Sequence, residues 1–145
     1  MSEVGHQFRR PGLLAWLRLA RVFQKIEHGS TEHLRQWDLS VAQFDVIAQV
    51  GSAEGIMQQE LADRLLVTKG NVSQLLDRLE RRGLICRCPD GRTQRLSLTP
   101  TGRTLYHKVV PEQERYIGSQ FAALSVEEQR HLHDLLQKLD RSLSC

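Results

Sequence analysis

The side chains best suited to recognition chemistry lie in residues 68–101. Asn71, Gln74 and Arg78 carry amide or guanidinium groups that can form paired hydrogen bonds with the edges of DNA bases. The same stretch contains hydroxyl and ammonium groups that can bind DNA phosphates, on Thr68, Lys69 and Ser73. This combination predicts a surface that reads double-stranded DNA.

A second group of candidates follows about twenty residues later, around a short turn. Arg92 and Arg95 are expected to contact DNA, since a guanidinium on a narrow turn can enter a minor groove where the negative potential is strongest. Asp90 precedes Arg92 by two residues and is expected to orient it through a charge-assisted hydrogen bond. The alternative is a surface ion pair that contributes little to stability.

The distribution of charge supports this interpretation. The chain has a net charge of +3 and an isoelectric point near 9.0. Residues 64–103 contain nine basic and three acidic side chains, a balance of +6, so the remainder sums to −3. A concentrated positive charge is typical of a nucleic-acid-binding surface. A solvated basic face without a ligand is the alternative.

The elements that position these residues follow from the spacing of apolar side chains. Thr68 is a suitable N-cap for a helix that Gly83 ends. Its apolar stripe consists of Val72, Leu75, Leu76 and Leu79. Residues 84–88 and 95–99 are predicted strands, and the turn between them is predicted at residues 89–91, Pro-Asp-Gly. A helix followed by a β-hairpin places a reading surface beside a wing.

Helical patterns account for the remaining chain. Apolar spacing predicts helices over residues 11–37 and 57–65, and a Ser40–Gln43 capping box opens a helix between them. After the hairpin, Thr99 and Pro100 start a further helix, and a second capping box at Ser125 and Glu128 opens the last. The predicted order is four helices, two strands and two helices.

This order predicts one mainly α domain over residues 1–145, a winged helix-turn-helix with a small β-hairpin wing. The DNA-binding part covers residues 40–99, and the flanking helices cover residues 11–37 and 100–143. Their apolar stripes exceed what a small winged-helix core can cover, which predicts a homodimer. A winged-helix module that binds another protein instead of DNA is the competing interpretation.

Composition excludes several other classes of protein. At 145 residues with 40% hydrophobic and 26% charged side chains, the chain is typical of a single globular domain. It lacks an apolar run long enough for a membrane span, and an odd number of cysteines, three, does not form a disulfide framework. A cytoplasmic location without a signal peptide is expected. The sequence contains neither a nucleophile–base motif nor a phosphate-binding glycine loop, so an enzyme or a cofactor is not predicted.

Several motifs together resemble the MarR (multiple antibiotic resistance regulator) family of bacterial transcription factors. The most specific are LDRLERRGLI at residues 76–85 and LTPTG at residues 98–102, supported by LSVAQFDVI at residues 39–47 and QELA at residues 59–62. The wing departs from the family's Asp-Arg-Arg pattern, because this chain has Asp90-Gly91-Arg92. Gln74 stands where many members carry arginine.

The resemblance implies a homodimer on a pseudo-palindromic operator, with the reading helix in the major groove and the wing in an adjacent minor groove. Many members are repressors that a small, often phenolic or acidic, ligand or thiol oxidation releases from DNA. Regulation by abundance alone is a further alternative.

Two sets of residues are candidates for that control. Trp16 with Arg18 and Arg21 is expected to bind a small aromatic or acidic effector, although such a tryptophan is more often part of a core or interface. Cys86 and Cys88 lie at i and i+2 of a strand near arginines that can lower a thiol pKa, which is typical of a redox switch. Inert cysteines are the alternative. The spacing of the histidines and cysteines does not predict a zinc site.

Overall fold

The computed structural model describes residues 10–65 and 71–143. Helix α1 spans Pro11–Leu34 and is followed by a 3-10 turn at Arg35–Trp37. Helix α2 spans Val41–Ser52 and begins with the predicted capping box, in which Ser40 and Gln43 bond each other's backbone N–H groups. The prediction for the first two helices is therefore confirmed.

The centre of the chain forms the winged helix-turn-helix. Helix α3 spans Gln58–Arg64, helix α4 spans Val72–Arg81, strand β2 spans Ile85–Asp90 and strand β3 spans Thr93–Leu98. The sequence missed strand β1 at Ile56–Met57, which pairs antiparallel with β3. Two residues are too few to show an alternating pattern, so only the pairing with β3 defines this strand. The wing is therefore a three-stranded sheet in the order β1-β3-β2.

Two long helices complete the fold. Helix α5 spans Pro100–Ser119, and Thr99 caps it by accepting a hydrogen bond from the Gly102 N–H. Helix α6 spans Val126–Leu143 and begins with the predicted capping box between Ser125 and Glu128. The hydrogen bonds from the Ser125 backbone and side chain lower the pKa of the Glu128 carboxyl. Within the described residues, no helix is both long and apolar enough to cross a membrane.

The core lies where helices α2 to α5 meet the inner face of the sheet. Its fully enclosed members include Val46, Ile47, Val50, Leu61, Leu76, Leu79, Leu96 and Val109. By contrast, α6 has no buried residue, and α1 buries only Ser30 and Leu34. Burial of the α4 stripe fixes which side of that helix faces outward.

Helix α5 reaches this core through a close approach to the start of the wing. At Gly102, a Cβ atom would collide with the backbone carbonyl oxygen of Leu84. Backbone cannot rotate away as a flexible side chain can, so the contact requires glycine at this position. Gly118, near the other end of the same helix, has nothing within 4 Å of a Cβ position.

These two glycines give a matched pair of substitutions. We expect Gly102→Ala to lower the free energy of unfolding by about 1–3 kcal/mol because α5 or the wing strand must shift. Gly118→Ala should be neutral or stabilise by up to about 1 kcal/mol, since alanine restricts the unfolded chain. Urea denaturation of both variants measures the difference. Equal stabilities would contradict the close packing of α5 against Leu84.

Candidate nucleic-acid interface

The reading helix α4 begins later than the sequence predicted. Its N-cap is Asn71, whose side-chain oxygen accepts a hydrogen bond from the Gln74 N–H at 3.1 Å. The helix start predicted at Thr68 is therefore wrong, while Thr68 and Lys69 themselves lie outside the described residues. The cap uses one lone pair of the Asn71 amide oxygen, so the contact of Asn71 with an adenine edge stays a prediction.

The outward face of α4 carries three other residues that were predicted to contact DNA. Ser73, Gln74 and Arg78 are all exposed, opposite the buried Leu76 and Leu79. The 3.6-residue period places the apolar stripe inward and these polar groups together on the opposite side. The amide of Gln74 and the guanidinium of Arg78 are thus presented to a ligand beside one another.

The wing tip is a two-residue turn, one position later than predicted. Asp90 pairs directly with Thr93, so Pro89 belongs to strand β2 and the turn consists of Gly91 and Arg92. Gly91 has a φ of +62°, a left-handed conformation that favours glycine. Arg92 is therefore at the apex, exposed, and without a hydrogen bond or ion pair to any residue that the structure describes.

Asp90 orients a different arginine from the one predicted. Its carboxylate accepts a hydrogen bond from Arg95 Nε at 2.6 Å, and Arg95 Nη1 also donates to the Gly55 carbonyl at 3.0 Å. Asp90 and Arg95 lie on opposite strands near the hairpin end, whereas Arg92 lies in the turn itself. Arg95 is consequently held against the wing with about half of its side chain exposed.

The wing is fastened to the reading helix by Arg87 of strand β2. Its guanidinium pairs with Asp77, lies 3.9 Å from the Glu80 carboxylate and donates to the Ser73 carbonyl at 3.5 Å. The Arg87 side chain is only 14% exposed. Asp77 therefore pairs with the enclosed Arg87 of the wing and not with Arg81, which lies one turn along its own helix.

A concave surface separates the wing from helix α3. It encloses about 520 Å³ and carries the polar side chains of Gln58, Gln59, Gln94 and Arg92. The sequence did not single out the three glutamines, because isolated glutamines are common on exposed helices and strands. Only the return of β3 beside α3 brings them to the same groove as the wing-tip arginine.

The candidate redox cysteines lie on one face of β2, as predicted, but their chemistry differs. Burial raises the pKa of the Cys86 thiol, and interaction with Cys88 and the charge of Glu54 raise it further. The predicted lowering by nearby arginines is wrong for Cys86, because burial, Cys88 and Glu54 outweigh the lowering effect of a backbone hydrogen bond. A raised pKa reduces the thiolate fraction that reacts with peroxide.

The candidate effector residues of α1 lie on the protein surface. Trp16 is 62% exposed, and Arg18 and Arg21 are also on the surface. A cavity of about 260 Å³ lies further along the helix, between α1, α2 and α5. Its apolar wall comprises Phe23, Ile26, Val41, Phe44 and Ile117. Trp16, Arg18 and Arg21 are not among the residues that line this cavity, since they lie nearer the start of α1, and their role in effector binding stays a prediction.

A polar network missed in the sequence runs along one side of this cavity. Gln113, 4% exposed, donates to the Ser30 hydroxyl at 3.1 Å and bonds His33 Nδ1 through its amide oxygen at 2.7 Å. His33 in turn stacks on Tyr116 with ring centroids 4.6 Å apart. Residues 30 and 113 are 83 positions apart, so only the packing of α1 against α5 brings them together.

The arrangement of α3, α4 and the β-hairpin defines a winged helix-turn-helix protein. A family model for the MarR family matches residues 37–96. An HTH-type transcriptional regulator from Bacillus cereus is 39% identical over 131 residues, which cover 90% of this chain and 89% of that protein. The regulator PecS from Dickeya dadantii is 31% identical, covering 99% and 94%. A mutant MarR from Escherichia coli, solved in a crystal with operator DNA, is 27% identical in sequence. The match covers 83% of this chain and 89% of that chain, with a TM-score of 0.73.

This chain belongs to the MarR family of helix-turn-helix transcriptional regulators. It is accordingly a DNA-binding protein and not an enzyme. The predicted family and fold class are confirmed.

The exposed tip of the wing provides a direct mutational test. We expect Arg92→Ala to weaken DNA binding by roughly fivefold, because a cation that lies close to the DNA backbone is lost. The slope of log affinity against log salt concentration should fall by about one. Thermal stability should stay within about 0.5 kcal/mol, since Arg92 lacks a partner among the described residues. Salt-titrated fluorescence anisotropy measures both effects.

Lys108→Ala is the matched control for Arg92→Ala. Lys108 is also exposed and cationic but lies on helix α5, away from the wing. Equal losses of affinity in the two variants would show that overall charge, and not the wing tip, is responsible.

Proposed function

We propose that this protein is a homodimeric repressor that binds a pseudo-palindromic operator and leaves it when a small aromatic ligand occupies the cavity between α1, α2 and α5. The observation that carries the proposal is the separation of three surfaces. The reading helix and the basic wing form one surface, two uncovered apolar helices form the second, and the cavity between α1, α2 and α5 is the third.

The apolar faces of the terminal helices support the dimer. On α1 the exposed large hydrophobic residues are Leu14, Trp16, Leu17, Leu19, Val22 and Phe23. On α6 they are Val126, Leu135, Leu136, Leu139 and Leu143. Contiguous apolar patches of this extent mark an interaction surface. A second copy would cover both faces and would place two reading helices for two half-sites, about 10 bp apart from centre to centre.

The dimer and the operator can be tested together. We expect Leu135→Glu with Leu139→Glu to convert the dimer to a monomer in sedimentation and to abolish a two-fold symmetric footprint, since charge replaces apolar contact. Lys138→Glu, an exposed change on the same helix, is the control for added negative charge. A wild-type monomer at micromolar concentration that still gives a symmetric footprint would overturn the dimeric proposal.

The lining of the cavity bears on the ligand. Its wall is largely apolar and aromatic, and its ionisable side chains are the carboxyl groups of Glu27 and Asp45. This lining supports an aromatic ligand, but it does not support the acidic one that the sequence suggested. A volume of about 260 Å³ suits a molecule with a single ring.

Such a ligand acts only through different affinities for the free and the DNA-bound states. A tenfold loss of DNA affinity requires about 1.4 kcal/mol of coupling free energy between the two sites. Bound DNA must then lower the affinity for the ligand by the same factor. The Gln113 network supports this coupling, because it joins α1 to α5 beside the cavity.

A matched pair of compounds tests the ligand class. We expect 4-hydroxybenzamide to release operator DNA at lower concentration than 4-hydroxybenzoate, because the carboxylate of the benzoate would lie beside the carboxyl groups of Glu27 and Asp45. Ile117→Trp should fill the cavity and remove the response while retaining DNA binding. Release of DNA by 4-hydroxybenzoate but not by 4-hydroxybenzamide would contradict a site at this cavity. An unchanged response of the Ile117→Trp variant would contradict it as well. A response to neither compound would favour regulation by abundance.

Thiol oxidation is the alternative form of control. The raised pKa of Cys86 argues against rapid reaction with peroxide. DNA release by peroxide that disappears in a Cys86→Ser, Cys88→Ser variant would favour it over the ligand.

A further inference from the structure

The outer face of the wing carries two thiols that the proposed function does not use. Cys86 and Cys88 alternate with Ile85 and Arg87 along β2, so both side chains leave the sheet on the face away from the core. Cys86 is half-buried and Cys88 is exposed, and both are free thiols. Their cross-strand neighbours on β3 are Ser97 and Arg95.

Cys88 lies close enough to Cys86 to influence its thiol. Cys86 donates a hydrogen bond to the Ser97 carbonyl at 3.7 Å. Apart from burial, its interactions with Cys88 are the main causes that raise its pKa. Neither cysteine is therefore an isolated side chain, and the pair shares one exposed patch of the wing.

The strand geometry disfavours a disulfide between them. Residues at i and i+2 of a strand are separated by roughly 6.6 Å between Cα atoms, from a rise of about 3.3 Å per residue. That distance is at the upper end of the range for disulfides, and parallel Cβ directions make closure harder still. A linear sulfur–metal–sulfur bridge is less demanding, since two bonds of about 2.3 Å span roughly 4.6 Å.

We propose that Cys86 and Cys88 form a two-coordinate site for a soft metal ion of the Cu(I) class on the outer face of the wing. Thiolates prefer soft ions. Zinc fits poorly because structural zinc sites require four ligands, whereas the described residues contain no group of three histidine, cysteine or carboxylate side chains arranged for a metal. Binding converts two thiols and one Cu⁺ into a dithiolate complex of charge −1 and releases two protons.

This reaction changes the charge of the wing by −1. Cys88 pairs across the strands with Arg95, one of the cations expected at DNA. A new negative charge there opposes the attraction of the wing to phosphates. We expect bound Cu(I) to weaken DNA affinity by roughly two- to fivefold at low salt, the range for one exposed charge interaction, and less at high salt. This consequence rests on the proposed DNA contacts of the wing, whereas the metal site itself does not.

Anaerobic titration with Cu(I) against a chromogenic Cu(I) chelator tests the site. The full chain carries Cys145→Ser, so that only the two wing thiols remain. We expect one Cu(I) per chain by native mass spectrometry, thiolate-to-copper absorbance, and at least a tenfold weaker affinity in Cys86→Ser and in Cys88→Ser. Thermal melts of the apo variants monitor folding, and Cys88→Ser changes an exposed side chain, so its fold should be retained.

Two results would overturn the site. One is Cu(I) binding that is unchanged in both serine variants, and the other is copper held only between two chains at one cysteine each. DNA anisotropy with and without Cu(I) is measured separately. Copper binding without a change in DNA affinity would refute only the effect on the wing, and failure of DNA binding in the metal-free protein would refute the proposed function instead.

Discussion

The enclosed Arg87 guanidinium is the contact on which the geometry of the DNA-binding surface depends. It comes from strand β2 of the wing and meets Asp77, Glu80 and the Ser73 carbonyl of the reading helix. Because it is largely shielded from solvent, this cation requires its acidic partners more than an exposed one would. It fixes the angle between helix α4 and the hairpin, and so sets how far Arg92 lies from Gln74 and Arg78. A major-groove contact and a wing contact can then be made by one rigid surface.

The second structural relation joins the reading part to the terminal helices. Ser30 and His33 of α1 meet Gln113 of α5 through buried or half-buried hydrogen bonds beside a mainly apolar cavity. Buried polar groups are costly when a partner is lost, so this network favours one arrangement of the two helices. A molecule in the adjacent cavity would contact α1, which carries one of the two uncovered apolar faces. The control proposed above would therefore act through a helix that is also proposed to form the dimer.

The sequence predicted most of the helices and strands because interactions between residues close together in the chain determine them. The capping boxes at Ser40 and Ser125, and the Thr99 cap, satisfy backbone groups only three residues away. The α4 stripe was equally readable, because its 3.6-residue period survives in any packing that buries one face. Where two local choices compete, the sequence was less decisive. Thr68 and Asn71 are both good caps, and Asn71 caps the helix that the structure describes.

By itself, then, the sequence determined the family, the helix order, the outward face of α4 and the apolar stripes of the terminal helices. The tertiary structure decided which charges pair and where the cavity lies. Asp77 meets Arg87 and Asp90 meets Arg95 because strand pairing brings those residues together. The cavity lies beside Phe23 and Gln113, not beside Trp16, because α1 crosses α5 nearer its own C-terminal half. Spacing along a chain specifies a local face, but contacts between distant segments depend on how those faces pack.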